Sequence, residues 1–222
     1  MKTLLITLCV LIQSATALAG PWPQIEHPAD ALVDAMGSQI RLNGIPMQMV
    51  RARSNAGMDA MLAHYRAALG IPVAHARVAD THLLSQKRGG HFITVSISAT
   101  DDGLSEALLS IADMQAAAQA ASRPQGFTLP AGSTVLSDME SADGERNARQ
   151  WVLLNTHSLR TNLAHLSRGL VEHGLMPDGP PLTDTTDVIA QGFQGAMGEA
   201  HLILVRHEGA THVVLTLILK RT

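Results

Sequence analysis

Histidine is the residue type whose abundance first suggests chemistry in this chain, with 11 copies in 222 residues. A metal site requires ligand atoms that converge to within about 2 Å of one ion. His82 and His91 fall near opposite ends of a predicted hairpin, and His64 falls off the apolar stripe of its predicted helix. His207 and His212 flank a glycine and lack the four-residue helical spacing of a zinc-binding HExxH motif. The histidines therefore predict no metal centre, and we interpret them as structural.

Two methionines offer a different kind of site. Met47 and Met49 occupy alternate positions of a predicted strand, so their thioethers point to the same face. Thioether sulfur is a soft ligand that selects Cu(I). The same spacing also occurs where methionine fills an apolar core. Met47 and Met49 are the candidate metal ligands, and the sequence identifies no third ligand beside them.

Motifs for catalysis or cofactor binding are missing from the sequence. The single cysteine, Cys9, lies in the N-terminal segment, and neither a nucleophile elbow nor a phosphate-binding glycine loop occurs. Carboxylates pair at Asp101 with Asp102 and at Asp184 with Asp187, but both pairs fall at predicted helix starts, where capping explains them. We therefore assign no catalytic residue and no cofactor. A histidine and a distant carboxylate brought together by the fold form the enzymatic alternative.

The N-terminal segment predicts export. Lys2 precedes an apolar run over 4–12, and the small-residue sequence Ala-Leu-Ala at 17–19 is typical of a signal-peptide cleavage site. The apolar run is too short to cross a bilayer, which takes roughly 20 residues. The net charge of −3 and the lack of basic clusters give no electrostatic reason to bind nucleic acid. The sequence thus predicts a periplasmic protein that is soluble, without membrane insertion, once residues 1–19 are removed.

Internal similarity predicts the architecture. The triplet Leu-Ala-His occurs at 62–64 and at 163–165, each time within an amphipathic helical pattern. Downstream, His82 aligns with His201 and His91 aligns with His212, each within a predicted closing hairpin. Asn43-Gly44 predicts a further hairpin at the start of the first repeat.

From this pattern we predict an α+β fold of two tandem ββαββ units, each an antiparallel sheet with one packed helix. A lead-in spans 20–37 and the first unit spans 38–98. A connecting helix and linker occupy 99–132, with the helix over 104–121. The second unit spans 133–222 and contains an insertion loop over 176–198. Whether the units form one sheet or two is left open.

The final strand of the chain bears on function. Val213, Leu215 and Leu217 lie on one of its predicted faces, and Val214 and Ile218 lie on the other. One face is expected to meet the helix of its own unit. For the other face the sequence favours contact with the partner unit over contact with another molecule, because a soluble monomer rarely exposes a large apolar face. Sheet edges and this two-sided hairpin favour a non-catalytic, periplasmic binding protein that acts as an accessory or assembly component of a cell-envelope complex. The alternatives are a copper-handling protein and a hydrolase-type enzyme, and the oligomeric state is left open.

Overall fold

The computed structural model describes residues 22–120 and 126–221, so the predicted signal peptide lies outside the described residues. Strands make up 53% of the structure and helices 15%. The protein is therefore mostly antiparallel β-sheet, and the predicted α+β fold of two ββαββ units is wrong. No helix within the described ranges is both long enough and apolar enough to cross a membrane.

The first half of the chain contains seven strands and one long helix. Its elements are β1 Leu32–Ala35, β2 Ser38–Leu42, β3 Ile45–Ser54, α1 Met58–Leu69, β4 Ala74–Val78, β5 Thr81–Arg88, β6 His91–Ala99 and β7 Ser105–Asp113, followed by the single-turn helix α2 Ala117–Ala120. The turn between β2 and β3 is the predicted one, with positive φ angles of 51° at Asn43 and 80° at Gly44. Both residue types tolerate this backbone region, which confirms the predicted hairpin.

The second half repeats this order. Its elements are β8 Thr134–Asp143, β9 Arg146–Asn155, α3 Leu159–Glu172, β10 Met176–Pro177, β11 Thr183–Asp184, β12 Val188–Gly195, β13 Gly198–His207 and β14 Ala210–Lys220. The predicted insertion loop over 176–198 contains β10, β11 and β12. By their places in the sheet, β12, β13 and β14 correspond to β5, β6 and β7 of the first half.

All strands belong to one sheet. The order along its main path is β10-β12-β13-β14-β9-β8-β2-β3-β7-β6-β5-β4, with β1 paired to β3 and β11 paired to β12. Every pairing is antiparallel. The two halves meet where β2 pairs with β8. Because the strand order reads the same outward from this junction, the halves are related by a pseudo-twofold axis perpendicular to the sheet.

Both long helices pack on the same face of the sheet. Residues directly opposite each other in an antiparallel pair share a face. Arg41 lies opposite Pro46 and Glu140, Glu140 lies opposite Arg149, and Arg149 lies opposite Leu217. Pro46 is on the β3 face that packs on the first core, and Leu217 belongs to the second core. The opposite face of the sheet carries neither of these two helices, and we refer to it as the helix-free face.

Each half has its own apolar core between its helix and the sheet. The first core is built on Met61, Tyr65, Leu84, Ile93 and Val95, and the second on Trp151, Leu153, Leu166, Leu170 and Leu202, with further apolar residues around each. The segments before β1 and before β8 belong to these cores as well, because Ile25 and Phe127 are buried in them. The extended segment at each repeat's start is therefore part of the repeat.

The predicted connecting helix over 104–121 is the main error in the sequence interpretation. Within it, β7 lies between β3 and β6, and its burial alternates strictly from Ser105 to Asp113. Ala107, Leu109 and Ile111 face the first core. Apolar residues at intervening positions hide the two-residue period, and the alanines favour a helix in isolation. Pairing on both sides in the middle of a sheet overrides that preference.

Candidate functional site

The histidines of the two helices hold the start of each repeat in place. His64 Nε2 lies 3.1 Å from the Glu26 carbonyl oxygen, and His165 Nε2 lies 3.2 Å from the Thr128 carbonyl oxygen. These contacts are equivalent under the pseudo-twofold. Their role is to attach the extended segment of each repeat to its helix, in line with the structural interpretation of both histidines.

The other two predicted histidine correspondences are wrong. His82 lies on β5, whereas His201 lies on β13, which corresponds to β6. His91 lies on β6, whereas His212 lies on β14, which corresponds to β7. The sequence missed β7 after the first predicted closing hairpin and β12 before the second, so the alignment paired hairpins that are offset by one strand.

Three side chains form a small polar cluster near the β4 edge of the sheet. The rings of His75 and His82 stack with centroids 5.2 Å apart, and Arg66 Nη2 lies 2.6 Å from His75 Nδ1. Partial desolvation, the Arg66 guanidinium and His82 together lower the pKa of His75. In the part of the chain that the structure describes, no group of three or more His, Cys, Asp or Glu side chains could hold a metal ion.

Met47 and Met49 lie on β3 as predicted, and both are half-buried. Alternation along β3 sets them on the face opposite to Val50, which packs on the first core. Met36 follows β1, and its backbone N–H donates to the Met49 carbonyl oxygen at 3.0 Å. Ala35 lies opposite Val50, so this register sets Met36, a residue distant in sequence, opposite Met49 on the same face.

Histidine and carboxylate groups do not form a catalytic pair in the described ranges. The one histidine within 4.0 Å of a carboxylate there is His207, whose Nε2 lies 3.7 Å from Glu208 Oε1, and both side chains are largely exposed. Asp102 caps the turn before β7 through Thr100 and Leu104, and these hydrogen bonds lower its pKa. This turn leads into a strand, so the predicted helix start there is wrong.

The other predicted carboxylate pair also has a structural role. Asp184 lies in β11, where its Oδ1 accepts a 2.6 Å hydrogen bond from Arg160 Nη2 on α3. The Asp187 carbonyl oxygen accepts from the Arg206 backbone N–H at 2.7 Å, which ties this loop to β13. Neither carboxylate meets a histidine, and the predicted helical turn over this segment is a short strand.

A cleft lies between the two repeats on the helix side of the sheet, and we refer to it as the inter-repeat cleft. Its volume is about 860 Å³. The two segments that start the repeats, the first strands of each repeat and the end of α3 all contribute to its walls. The residues that matter below are Trp22, Arg41, Gly126, Glu140, Arg149 and Trp151.

An ion-pair network holds the polar wall of this cleft. Arg149 donates from Nε to Asp138 Oδ1 at 2.8 Å and from Nη2 to Asp138 Oδ2 at 2.6 Å, a bidentate geometry. Arg149 Nε also lies 3.2 Å from Glu140 Oε1, and all three side chains are at most one quarter exposed. The guanidinium carbon of Arg149 lies 4.6 Å from the centre of the Trp151 ring, a cation–π contact. The network therefore fixes the tryptophan and arginine against each other.

Gly126 lets the start of the second repeat approach this network closely. Its φ is +68°, and a Cβ at this position would lie 3.3 Å from Arg149 Nη1. Phe127 then packs between Trp151, at 5.8 Å between ring centroids, and His173, at 5.7 Å. The aromatic wall of the cleft is thus built from β9, the segment before β8 and the end of α3.

The helix-free face differs sharply between the two repeats. In the second repeat its cross-strand rows read Val152–Val214–Ile203–Ala190 and Leu154–His212–Val205–Val188. At the corresponding positions of the first repeat, the rows read Arg51–Leu108–Ser96–Leu83 and Arg53–Glu106–Ser98. Ile203 is 43% exposed and Val205 is 36% exposed. We refer to these two rows of the second repeat as the apolar patch.

The arrangement of the repeats decides one prediction about the final strand. The sequence favoured contact of the second face of β14 with the other repeat over contact with another molecule, and that expectation is wrong. The repeats join edge to edge through β2 and β8, so the first repeat does not cover this face. Val214 is accordingly half-buried and Ile203 beside it is exposed.

Sequence reasoning did not find the inter-repeat cleft. Trp151 is buried in the second core and is also one of the residues that line the cleft. Arg149 precedes Trp151 by two residues, so a strand places both side chains on one face. That spacing was the signal in the sequence that could have indicated this wall of the cleft. The partner strand β8 and the approach of Gly126 depend on long-range pairing that the spacing does not reveal. Comparisons with protein families, with curated proteins and with solved structures found no match for this chain.

Proposed function

We propose that this chain is a non-catalytic, exported binding protein that works in the periplasm as an accessory or assembly component of a cell-envelope complex. The observation that supports the proposal is the apolar patch on the helix-free face of the second repeat. A soluble protein rarely exposes contiguous apolar rows without a binding role. The corresponding surface of the first repeat is polar, so the fold itself does not require apolar residues there.

Face packing is a better route to a partner than strand addition in this molecule. The edge strand β4 carries His75 and Arg77 and is exposed along its whole length. Charged side chains on an edge oppose pairing with another strand. The apolar patch, by contrast, offers β-branched side chains that suit packing against a sheet or an amphipathic helix of a partner protein.

A substitution in the patch tests the proposal, with a matched control in the other repeat. Ile203→Lys adds a charge to the centre of the patch, and Ser96→Lys adds the same charge at the corresponding position of the first repeat. Both variants would be exported in the source bacterium, cross-linked and purified with their partners. We expect the same envelope protein to be captured by the wild type and by Ser96→Lys, and to be lost with Ile203→Lys.

Two outcomes would refute this function. One is a partner that Ile203→Lys captures as well as the wild type does, with both proteins folded by circular dichroism. The other is a wild-type dimer in light scattering that Ile203→Lys converts to a monomer, because the patch would then bind a second copy.

Copper handling is a second candidate, and the position of Met36 favours it. Three thioethers at Met36, Met47 and Met49 would supply the coordination that two lack, and such soft ligands select Cu(I) over harder cations. We expect Cu(I) affinity, measured by competition with a colorimetric chelator, to fall in each Met→Leu variant of the three. Met114→Leu, at a methionine that is 45% exposed, is the control and should leave the affinity unchanged. Equal affinity in all four variants, or no stoichiometric binding, would exclude this candidate.

A further inference from the structure

The segment that starts the first repeat is held in place by side chains rather than by sheet pairing. Residues 22–31, which we refer to as the first strap, belong to no strand. His64 Nε2 of α1 lies 3.1 Å from the Glu26 carbonyl oxygen, and His27 Nδ1 lies 2.8 Å from Tyr65 Oη. Two histidines and one tyrosine therefore attach the first strap to the helix.

The corresponding segment of the second repeat lacks the His–Tyr pair. Residues 126–132 form this second strap, and His165 Nε2 lies 3.2 Å from the Thr128 carbonyl oxygen. Leu129 follows this carbonyl, in the place of the first strap's histidine, and packs on the second core. Leu166 of that core takes the place of the tyrosine. The same two positions are thus hydrogen-bonded in the first repeat and apolar in the second.

Only one proton arrangement satisfies both groups of the His27–Tyr65 pair. Tyr65 is fully buried, and its hydroxyl has this one hydrogen-bond partner among the described residues. The hydroxyl must therefore donate to His27, which requires an unprotonated Nδ1. A protonated imidazole would present an N–H to the hydroxyl instead. The hydroxyl hydrogen would then lack an acceptor, which is unfavourable at a buried site.

The groups around His27 disfavour its protonation as well. α1 faces it with His64, while the strap's own Glu26 side chain is exposed and the Asp30 carboxylate accepts a hydrogen bond from Ser54 Oγ. Partial burial and the neighbouring His64 lower the pKa of His27 below its ordinary value of 6.5. The stability that this contact contributes is therefore fully present above pH 6.5, and it is lost as the pH falls through the lowered pKa.

The contacts of the second strap respond differently to acid. His157 Nε2 lies 2.7 Å from the Ala131 carbonyl oxygen, in addition to the contact of His165 with Thr128. The ring donates in both contacts, since a carbonyl oxygen only accepts. A protonated ring keeps these hydrogen bonds and strengthens them. The first strap has one contact of this kind, through His64.

We propose that the first strap is released by acid: protonation of His27 breaks its contact with Tyr65 and frees residues 22–31 from the first repeat, while the second strap stays bound. Release uncovers Ile25, which is buried in the first core, and moves Trp22, which lines the inter-repeat cleft. Acid therefore opens this wall of the cleft. The inference is independent of the proposed protein partner, because the first strap and the apolar patch lie on opposite faces of the sheet.

Chemical labelling of a buried thiol tests the release. Ile25→Cys sets a thiol between the first strap and its core, and Phe127→Cys does the same for the second strap, since both positions are buried. Both variants would also carry Cys9→Ser, so that the introduced thiol is the only one in the chain. Each would react with dithiodipyridine at about pH 7.5 and about pH 5.5, a range over which histidine titrates. A cysteine-containing peptide serves as the reference for the reagent.

We expect the two straps to respond differently. The labelling rate of the Ile25→Cys variant, relative to the peptide, should rise about threefold or more at the lower pH. The rate of the Phe127→Cys variant should change by less than about twofold, because the contacts of the second strap persist in acid.

Further substitutions in the Ile25→Cys protein assign the response to His27. His27→Leu together with Tyr65→Phe gives the first strap an apolar pair, as in the second strap, and the relative labelling rate should then no longer depend on pH. His173→Leu is the matched control, because it removes a histidine that lies against the second strap. It should leave the response of the first strap unchanged.

Three results would overturn the inference. The first is a relative labelling rate of the Ile25→Cys variant that is equal at both pH values. The second is an equal rise for both straps, which would mean that acid loosens the whole molecule. The third is a wild-type response that persists after His27→Leu and Tyr65→Phe. If that combination fails to fold, the comparison of the two straps alone decides between retention and rejection.

Discussion

A buried pair of asparagines in the second repeat allows a quantitative prediction about stability. Asn155 is 5% exposed and Asn162 is fully buried. Their amides bind each other reciprocally, with Asn155 Nδ2 2.8 Å from Asn162 Oδ1 and Asn162 Nδ2 3.0 Å from Asn155 Oδ1. Asn155 also donates to Ser133 Oγ and accepts from the His157 backbone N–H. The pair thus joins β9, the start of α3 and the segment before β8.

Leucine has the shape of asparagine without its polar atoms, so the two single substitutions isolate the hydrogen bonds. Asn162→Leu breaks the reciprocal pair but leaves Asn155 bonded to Ser133 and His157, and we expect a loss of about 2 kcal/mol. Asn155→Leu leaves the buried Oδ1 of Asn162 and the His157 N–H without these partners, and we expect about 3–5 kcal/mol. In the double variant neither side-chain amide remains, so no amide of the pair is left without its partner, and the loss should be smaller than the sum by about 1–2 kcal/mol.

Urea unfolding of the four proteins, followed by circular dichroism, measures these differences in the free energy of unfolding. Equal m-values across the set are the control, since they show that the same surface is exposed in each case. A loss in Asn162→Leu as large as that in Asn155→Leu would refute the reasoning. Strict additivity in the double variant would do so as well, because it would mean that the two amides do not interact.

Three further predictions concern the cores and the cleft. Leu166→Ala empties a fully buried position of the second core and should lower the free energy of unfolding by about 2–5 kcal/mol; a loss under 1 kcal/mol would contradict the assigned packing. Burial raises the pKa of Tyr65 to about 12, so the phenol stays protonated in the folded state. The stability that this shift contributes is fully present below pH 10 and is lost as the pH rises toward 12. Melting temperatures of Tyr65→Phe should therefore fall less over that range than those of the wild type, and parallel curves would contradict the shift. Gly126→Ala should cost about 1–2 kcal/mol in thermal unfolding, because alanine disfavours the φ of +68°, and an unchanged melting temperature would refute the left-handed backbone there.

The local elements of this fold could be predicted from the sequence, whereas the long-range pairing of its strands could not. The Asn43-Gly44 hairpin and the two helices follow from turn chemistry and helical periodicity, both of which act over a few residues. The assignment of 104–121 to a helix failed because alanine and leucine at both strand parities erase the two-residue period. Because β7 was not predicted, the closing hairpins of the two repeats were aligned with an offset of one strand. The predicted correspondences of His82 and His91 with histidines of the second repeat were wrong for this reason.

The candidate sites were harder to predict, because each joins residues from separate elements. Met47 and Met49 were visible as an alternating pair, whereas Met36 reaches them only through the pairing of β1 with β3. The cleft depends on the antiparallel meeting of β2 and β8, which no local signal encodes. The apolar patch was partly visible, since β14 was expected to bury both faces, but the edge-to-edge junction was needed to show that the first repeat leaves it open.

Equivalent positions of the two repeats differ in residue type at two surfaces outside the conserved core pattern. The core positions keep their character, as at Tyr65 and Leu166, because both repeats must bury a helix against the sheet. Around the cleft, by contrast, Val50 of the first repeat is replaced by Trp151 of the second. Outside the core, Ser96 is replaced by Ile203 on the helix-free face. Neither change is required by the fold, since the first repeat forms the same elements without them. Both changes add apolar or aromatic surface to the second repeat, which is why the proposed protein-binding function rests on that repeat.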